Sequence, residues 1–147
     1  MNASPAEKIS EIRRQRGRDL AILAHHYQRD EVVAQADVLG DSLELSRKIA
    51  TLSAHDIVFC GVFFMAETAA MLAGPGQRIH IPVRDAACVM SEMAPGALVE
   101  TVLQRLEAAG RDVLPLTYVN SSAAVKAVVG ARSEEHTSEL QSHSDLV

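Results

Sequence analysis

At 147 residues with 48 % hydrophobic content, the chain holds enough apolar side chains for one compact domain and little more. A net charge of −5, three Phe, two Tyr and no Trp argue against a nucleic-acid surface, and no apolar run approaches the ~20 residues that cross a bilayer. The start of the chain lacks the basic-then-apolar layout of a secretory signal, so a cytoplasmic location is expected and a Cys60–Cys88 disulfide is not.

Ser4-Pro5-Ala6-Glu7 predicts a helix start, with Ser at the cap, Pro at the first helical position and Glu at the third. That helix runs to about Arg16 and stops at Gly17, and its Arg13, Arg14, Arg16 and Arg18 read as a solvated face. Leu20 to His25 is the first strand. Asp30 opens a second helix through Val32, Val33, Ala36 and Leu39, ended by Gly40, and Asp41-Ser42 opens a third with Leu45, Ile49 and Leu52 on one face. Asp56 to Gly61 is a second strand, apolar enough to be buried on both faces. A helix over Met65 to Leu72, a Gly74-Pro75-Gly76 turn and a third strand over Arg78 to Pro82 follow.

Cys88 begins a brief helical turn, and Pro95 opens a helix whose Leu98, Val99, Val102, Leu103 and Leu106 form a core-facing stripe, closed by Gly110. Val113 to Val119 reads as a fourth strand, with Ser121 capping a last helix through Val125 and Val128. Strands alternating with helices imply crossover connections, hence an α/β fold: an αβα sandwich around a mostly parallel sheet.

Ligands in such sheets collect at the carboxyl ends of strands, where His25, Tyr27, Cys60, Cys88, Tyr118 and Asn120 fall. Alternation along a strand lets His25 and Tyr27 share one side while His26 turns away. Tyr118-Val119-Asn120 repeats the polar pair at i and i+2, an echo that points to one site built from repeated units. Surface polar residues at strand ends remain the plain alternative. Cys60 reads as a small hydrophobe. Cys88 reads equally as a buried structural thiol or as a metal ligand, since a helix N-terminus favours the thiolate. Ser42, Ser121 and Ser122 read first as caps, although the same positions offer N–H groups to an anion. No Gly-x-Gly-x-x-Gly, phosphate-binding Gly-Lys-Ser/Thr loop or nucleophile elbow occurs, and no Cys/His pair has zinc-ligand spacing.

Arg132 to Val147 differ in kind. They have no apolar period, and they match the translation of a common sequencing-adapter oligonucleotide; a disordered acidic tail is the alternative. The expectation is a non-native, disordered tail over 132–147, set apart from the fold.

Four stretches together resemble one family: Ile22-Leu23-Ala24-His25-His26-Tyr27-Gln28, Gly40-Asp41-Ser42-Leu43-Glu44-Leu45, Ile57 through Thr68, and Tyr118 through Ala127. They resemble quinolinate synthase of NAD biosynthesis, in order and at about its spacing, from about residue 5 to 130. The resemblance implies three αβα domains about a pseudo-threefold axis, each giving one cysteine to a [4Fe-4S] cluster. Residues 1–111 would be the first domain and 112–131 the beginning of a second. The implied reaction condenses iminosuccinate with dihydroxyacetone phosphate to quinolinate, with a functional link to L-aspartate oxidase and no membrane or nucleic-acid partner.

By position, Cys88 matches a cluster ligand and Cys60 a non-ligand. His25, Ser42, Tyr118, Val119 and Asn120 match residues that bind iminosuccinate, and Tyr27 matches a tyrosine that moves protons. Glu67 lies in a family motif without an assigned step. His26, Ala87 and Ser91-Glu92 depart from the usual pattern. The motif match stops near Ala131, before two further cluster cysteines, a second-domain serine echoing Ser42 and all third-domain residues, so the chain is expected to be inactive alone. The rival expectations are a non-catalytic αβα module binding a small carboxylate and a zinc-binding structural domain.

Overall fold

The computed structural model describes residues 3–130, which divide into two compact units, one ending at Ala86 and one beginning at Ala87. The expected tail over 132–147 lies outside the described residues. Among the described residues, no helix is long and apolar enough to cross a membrane.

The first helix, α1 (Pro5–Arg16), starts on a reciprocal cap: the Glu7 N–H donates to Ser4 Oγ at 3.2 Å, and the Ser4 N–H donates to Glu7 Oε2 at 2.6 Å. Gly17, at φ +53°, ends the helix in a conformation that L side chains rarely adopt. A 3₁₀ turn over Gly17–Asp19 leads into β1 (Leu20–His25), buried from Ala21 onward.

A four-stranded parallel sheet forms the heart of this unit, in the order β2-β1-β3-β4, with β2 (Val38–Gly40), β3 (Asp56–Cys60) and β4 (Arg78–His80). Helices α2 (Asp30–Val33), α3 (Ser42–Ile49) and α4 (Phe63–Leu72) connect the strands, so the α/β architecture with a helix-flanked parallel sheet agrees with the sequence. The expected helix from Asp30 to Leu39 is corrected: it stops at Val33, and Val38–Gly40 is a strand. The reason is Asp37. Its N–H donates to the Ile22 carbonyl at 2.7 Å, and its Oδ2 accepts from the Ile22 N–H at 2.8 Å, so the chain is captured by the β1 edge. Arg13 fixes the same corner through an ion pair to Asp37 and a 3.2 Å bond to the Gln35 carbonyl.

Leu23, Leu45, Ile49, Ile57 and Phe59 are the largest fully buried side chains. They bring α3 onto the central strands. The helix ends at Ile49, short of Leu52, and Gln77 closes its exit: Nε2 donates to the Leu52 carbonyl at 2.8 Å, and Oε1 accepts from the Gly74 N–H at 2.8 Å. At the start of β3, the buried Asp56 carboxylate meets two guanidinium groups and an imidazole. His80 Nε2 lies 2.8 Å from Oδ1, Arg78 Nη2 lies 2.9 Å from it, and Arg16 pairs with Oδ2. The hydrogen bond from His80, followed by those guanidinium groups, holds the Asp56 carboxyl at about 2 against the opposing effect of burial. The last expected strand residues, Ile81 and Pro82, fall outside β4; Pro82 has no N–H for a ladder.

The second unit contains α5 (Val89–Glu92), α6 (Gly96–Ala108) and α7 (Ala123–Gly130). The expected strand over Val113 to Val119 does not form. Pro115 removes a donor from its middle, and the described second-unit residues include no strand for it to pair with. The core-facing stripe of α6 is likewise narrower than expected, with Leu103 buried, Val99 and Leu106 half-buried, and Leu98 and Val102 exposed. α7 buries Val125 and Val129, one turn apart, rather than Val125 and Val128. Its cap is Ser122, whose Oγ accepts from the Val125 N–H at 3.3 Å, while Ser121 Oγ pairs with Thr117 Oγ1 at 2.9 Å. Gly96 permits a close approach: a Cβ there would lie 3.1 Å from the Ala124 backbone, tight enough that the helix contact would have to give by a few tenths of an ångström.

Two outcomes are expected. Leu45→Ala costs about 2–5 kcal/mol in denaturant unfolding, because it opens a cavity under fully buried neighbours. Asp56, whose folded pKa is depressed, stabilises the chain above the unfolded carboxylate value near 4 and loses that contribution as pH falls to about 2. Asp56→Asn should therefore lower Tm at pH 7, and the deficit relative to wild type should shrink between about pH 4 and pH 2 in circular-dichroism melts.

Candidate functional site

β1 ends at His25, and the chain turns back at once: the Gln28 N–H donates to the His25 carbonyl at 2.9 Å. The extended alternation that would turn His26 away therefore stops one residue too early. All three rings gather instead, His25 and His26 at a centroid distance of 4.4 Å, His25 and Tyr27 at 4.6 Å, and His26 and Tyr27 edge-on at 4.3 Å. Their exposures diverge sharply. His25 is 8 % exposed and Tyr27 84 %.

The Tyr27 N–H donates to His25 Nδ1 at 3.2 Å. His25 is thus neutral with its proton on Nε2, leaving one ring N–H to offer a ligand. Burial pulls the His25 pKa below its ordinary value; His26 lowers it further, and Asp41 opposes both.

Across the sheet, His25 lies in register with Gly40, the last residue of β2. Asp41 follows and caps α3, its Oδ1 accepting from the Glu44 N–H at 2.8 Å. Ser42 is half-buried at the first helical position and is released from the capping role that sequence assigned it by default. A hydroxyl and the free N–H groups of a first helical turn thus stand near the carboxyl end of β1, an arrangement suited to a carboxylate. Sequence reasoning missed Asp41 as the cap and His26 as a ring partner. An Asp-Ser pair ahead of an apolar period carries the first signal; nothing in the sequence carries the second.

Cys60 closes β3 half-buried, and burial pushes its thiol up, in line with a packing role. Glu67 lies half-buried within α4. The remaining expected site residues belong to the second unit. Cys88 is half-buried with a free thiol at the cap of α5, held locally by the Ser91 hydroxyl donating to its carbonyl at 2.8 Å. Tyr118, 68 % exposed, Val119 and Asn120 form the turn before α7. Among the described residues, no three Cys, His, Asp or Glu side chains converge as a metal site. The half-buried Cys88 sulfur fits a single ligand position, so an iron–sulfur cluster or a zinc ion would require further ligands.

His25 should titrate below the ordinary histidine value in an NMR pH series. The sign follows: with its folded pKa lowered, folding weakens as pH falls from about 6.5 toward that folded value. An elevated His25 pKa would contradict the burial argument.

The family model described as Quinolinate synthetase A protein (NadA) matches residues 7–137, a span that runs past Ala131, where the motif resemblance stops. The chain is 49 % identical over 129 residues to a quinolinate synthase from a Geobacillus species, covering 85 % of this chain and 35 % of that protein. Against the quinolinate synthase of a Nocardioides species it is 51 % identical over 112 residues, covering 74 % and 28 %. Against that of Acidobacterium capsulatum it is 46 % identical over 129 residues, covering 86 % and 35 %. The chain spans about a third of the length of these relatives. With a matched span that takes in nearly the whole chain, it belongs to the quinolinate synthetase A protein family.

Proposed function

We propose that this chain is the N-terminal part of a quinolinate synthase, which condenses iminosuccinate with dihydroxyacetone phosphate to quinolinate in NAD biosynthesis. In this reading, residues 1–111 belong to the first of three pseudo-threefold-related αβα domains, and 112–131 begin the second. The observation that carries it is the buried, neutral His25, with Nε2–H free to donate, in register with Gly40 just before Ser42. A dicarboxylate substrate needs such donors without a competing buried charge.

His25 Nε2–H and the Ser42 hydroxyl bind one carboxylate, assisted by the positive end of α3. Tyr118, Val119 and Asn120 match further iminosuccinate-binding residues of the family. Tyr27, exposed at the turn, has its hydroxyl free to carry a proton during condensation and ring closure. Cys88 would hold one iron of a [4Fe-4S] cluster, with the two further cysteines in the part of the relatives' length that this chain does not cover; when bound, that cluster would supply Lewis acidity. The chain by itself is inactive in this reading. Its free thiols fit a reducing, cytoplasmic compartment, and L-aspartate oxidase is the functional partner that would provide the imine.

The rival is an αβα module that binds a carboxylate without catalysis, since the His25–Ser42 corner serves either role. Reading the genomic frame beyond codon 131 separates them: two further cysteines, each in a new αβα unit, support the enzyme, and a stop near residue 147 supports the module. In the assembled enzyme, Cys88→Ala should lose the cluster by iron and sulfide analysis, whereas Cys60→Ala keeps it. His25→Ala should chiefly raise KM for iminosuccinate. Tyr27→Phe should lower kcat about 10²–10⁴-fold with the cluster intact. Normal turnover in Tyr27→Phe would remove its role as proton carrier.

A further inference from the structure

Resting on this reading of the β1 turn, we propose that His26 is a positioning residue, whose two donors on the Gly40 carbonyl clamp the His25–Gln28 turn to the β2–α3 corner and hold Tyr27 in place. The His26 backbone N–H lies 3.2 Å from the Gly40 oxygen, and its Nδ1 lies 3.3 Å from the same oxygen. A carbonyl oxygen has two lone pairs and only accepts, so the His26 ring carries its proton on Nδ1. His25, accepting on its own Nδ1, carries its proton on Nε2. The two adjacent imidazoles are therefore opposite tautomers, each fixed by a backbone group.

This arrangement divides the work. An exposed imidazole normally samples several rotamers. Here the bond to Gly40 and the edge-on packing against Tyr27 select one, on the turn that presents the Tyr27 hydroxyl. The same clamp holds the Tyr27 N–H on His25, and with it the ring N–H offered to substrate. A charge on either imidazole would disfavour a charge on the other. Tyr27 on the turn, Asp41 at the α3 cap and Glu44, whose carboxylate folds over Gly40, are the other titratable groups at this corner.

Long-range ¹H–¹⁵N spectra of the 147-residue chain at pH 8 read both tautomers directly. A single Nδ1–H form at His26 beside a single Nε2–H form at His25 is expected. A mixed or Nε2–H-dominated His26 overturns the clamp, with no variant required. His26→Asn keeps a donor near the Nδ1 position, and His26→Phe keeps only the ring. Exchange protection of the Tyr27 amide should fall roughly 3–10-fold in His26→Phe and be largely restored in His26→Asn. Equal protection in both variants overturns the role of the hydrogen bond. In the assembled enzyme, kcat should follow the same order, lower for Phe and recovered for Asn. Should the spectra hold while kcat ignores both variants, the clamp stands and the catalytic reading of Tyr27 falls.

Discussion

One exchange of hydrogen bonds sets the register on which the candidate site depends. Asp37 donates its N–H to the Ile22 carbonyl and accepts the Ile22 N–H on its carboxylate, so the chain joins the edge of β1 instead of continuing a helix. From that point the parallel ladder runs Leu23 with Val38, Ala24 with Leu39 and His25 with Gly40. A slip of one residue would send alternate side chains to the opposite face and separate His25 from the α3 entrance. Arg13 secures the same corner from outside the sheet, linking the terminal helix to the geometry of a site it does not line.

Local signals were legible in the sequence where local chemistry decides. The Ser4–Glu7 cap, the Gly17 stop and β1 follow from short-range rules, and the structure has all three. The errors arise where a distant partner decides. Val32, Val33, Ala36 and Leu39 carry a helical period, but Asp37 finds Ile22 and the period loses. Val113 to Val119 reads as a strand, but a strand needs a neighbour and Pro115 withholds a donor. The strand-end position of His25 was legible from the apolar run before it. That the chain turns immediately after it, drawing His26 into the ring cluster, was not.

Two buried polar groups show opposite solutions to desolvation. Asp56, at the amino end of β3, stays charged because Arg16, Arg78 and His80 surround it. All its acceptor capacity is directed to the fold. His25, at the carboxyl end of β1, stays neutral because burial and His26 oppose its charging. That neutrality leaves an N–H uncommitted. The sheet therefore has a structural polar residue at one end and an available donor at the other, in keeping with the rule that parallel sheets bind ligands beyond their carboxyl ends.

The same division recurs between neighbours in sequence. Asp41 takes the α3 cap, which releases Ser42 one position later. His26 takes the Gly40 carbonyl, while His25 keeps Nε2–H available. In each pair one residue meets a backbone requirement, and the adjacent residue, held by that fixture, is left with an unspent donor. A lone polar residue at a strand end or helix start would have to satisfy the backbone itself, which is why such residues usually read as caps. Paired polar residues at both β1 and α3 relieve that competition. This is the physical reason that Ala24-His25-His26-Tyr27 and Gly40-Asp41-Ser42 can leave donors uncommitted where single residues in the same places would only finish a turn.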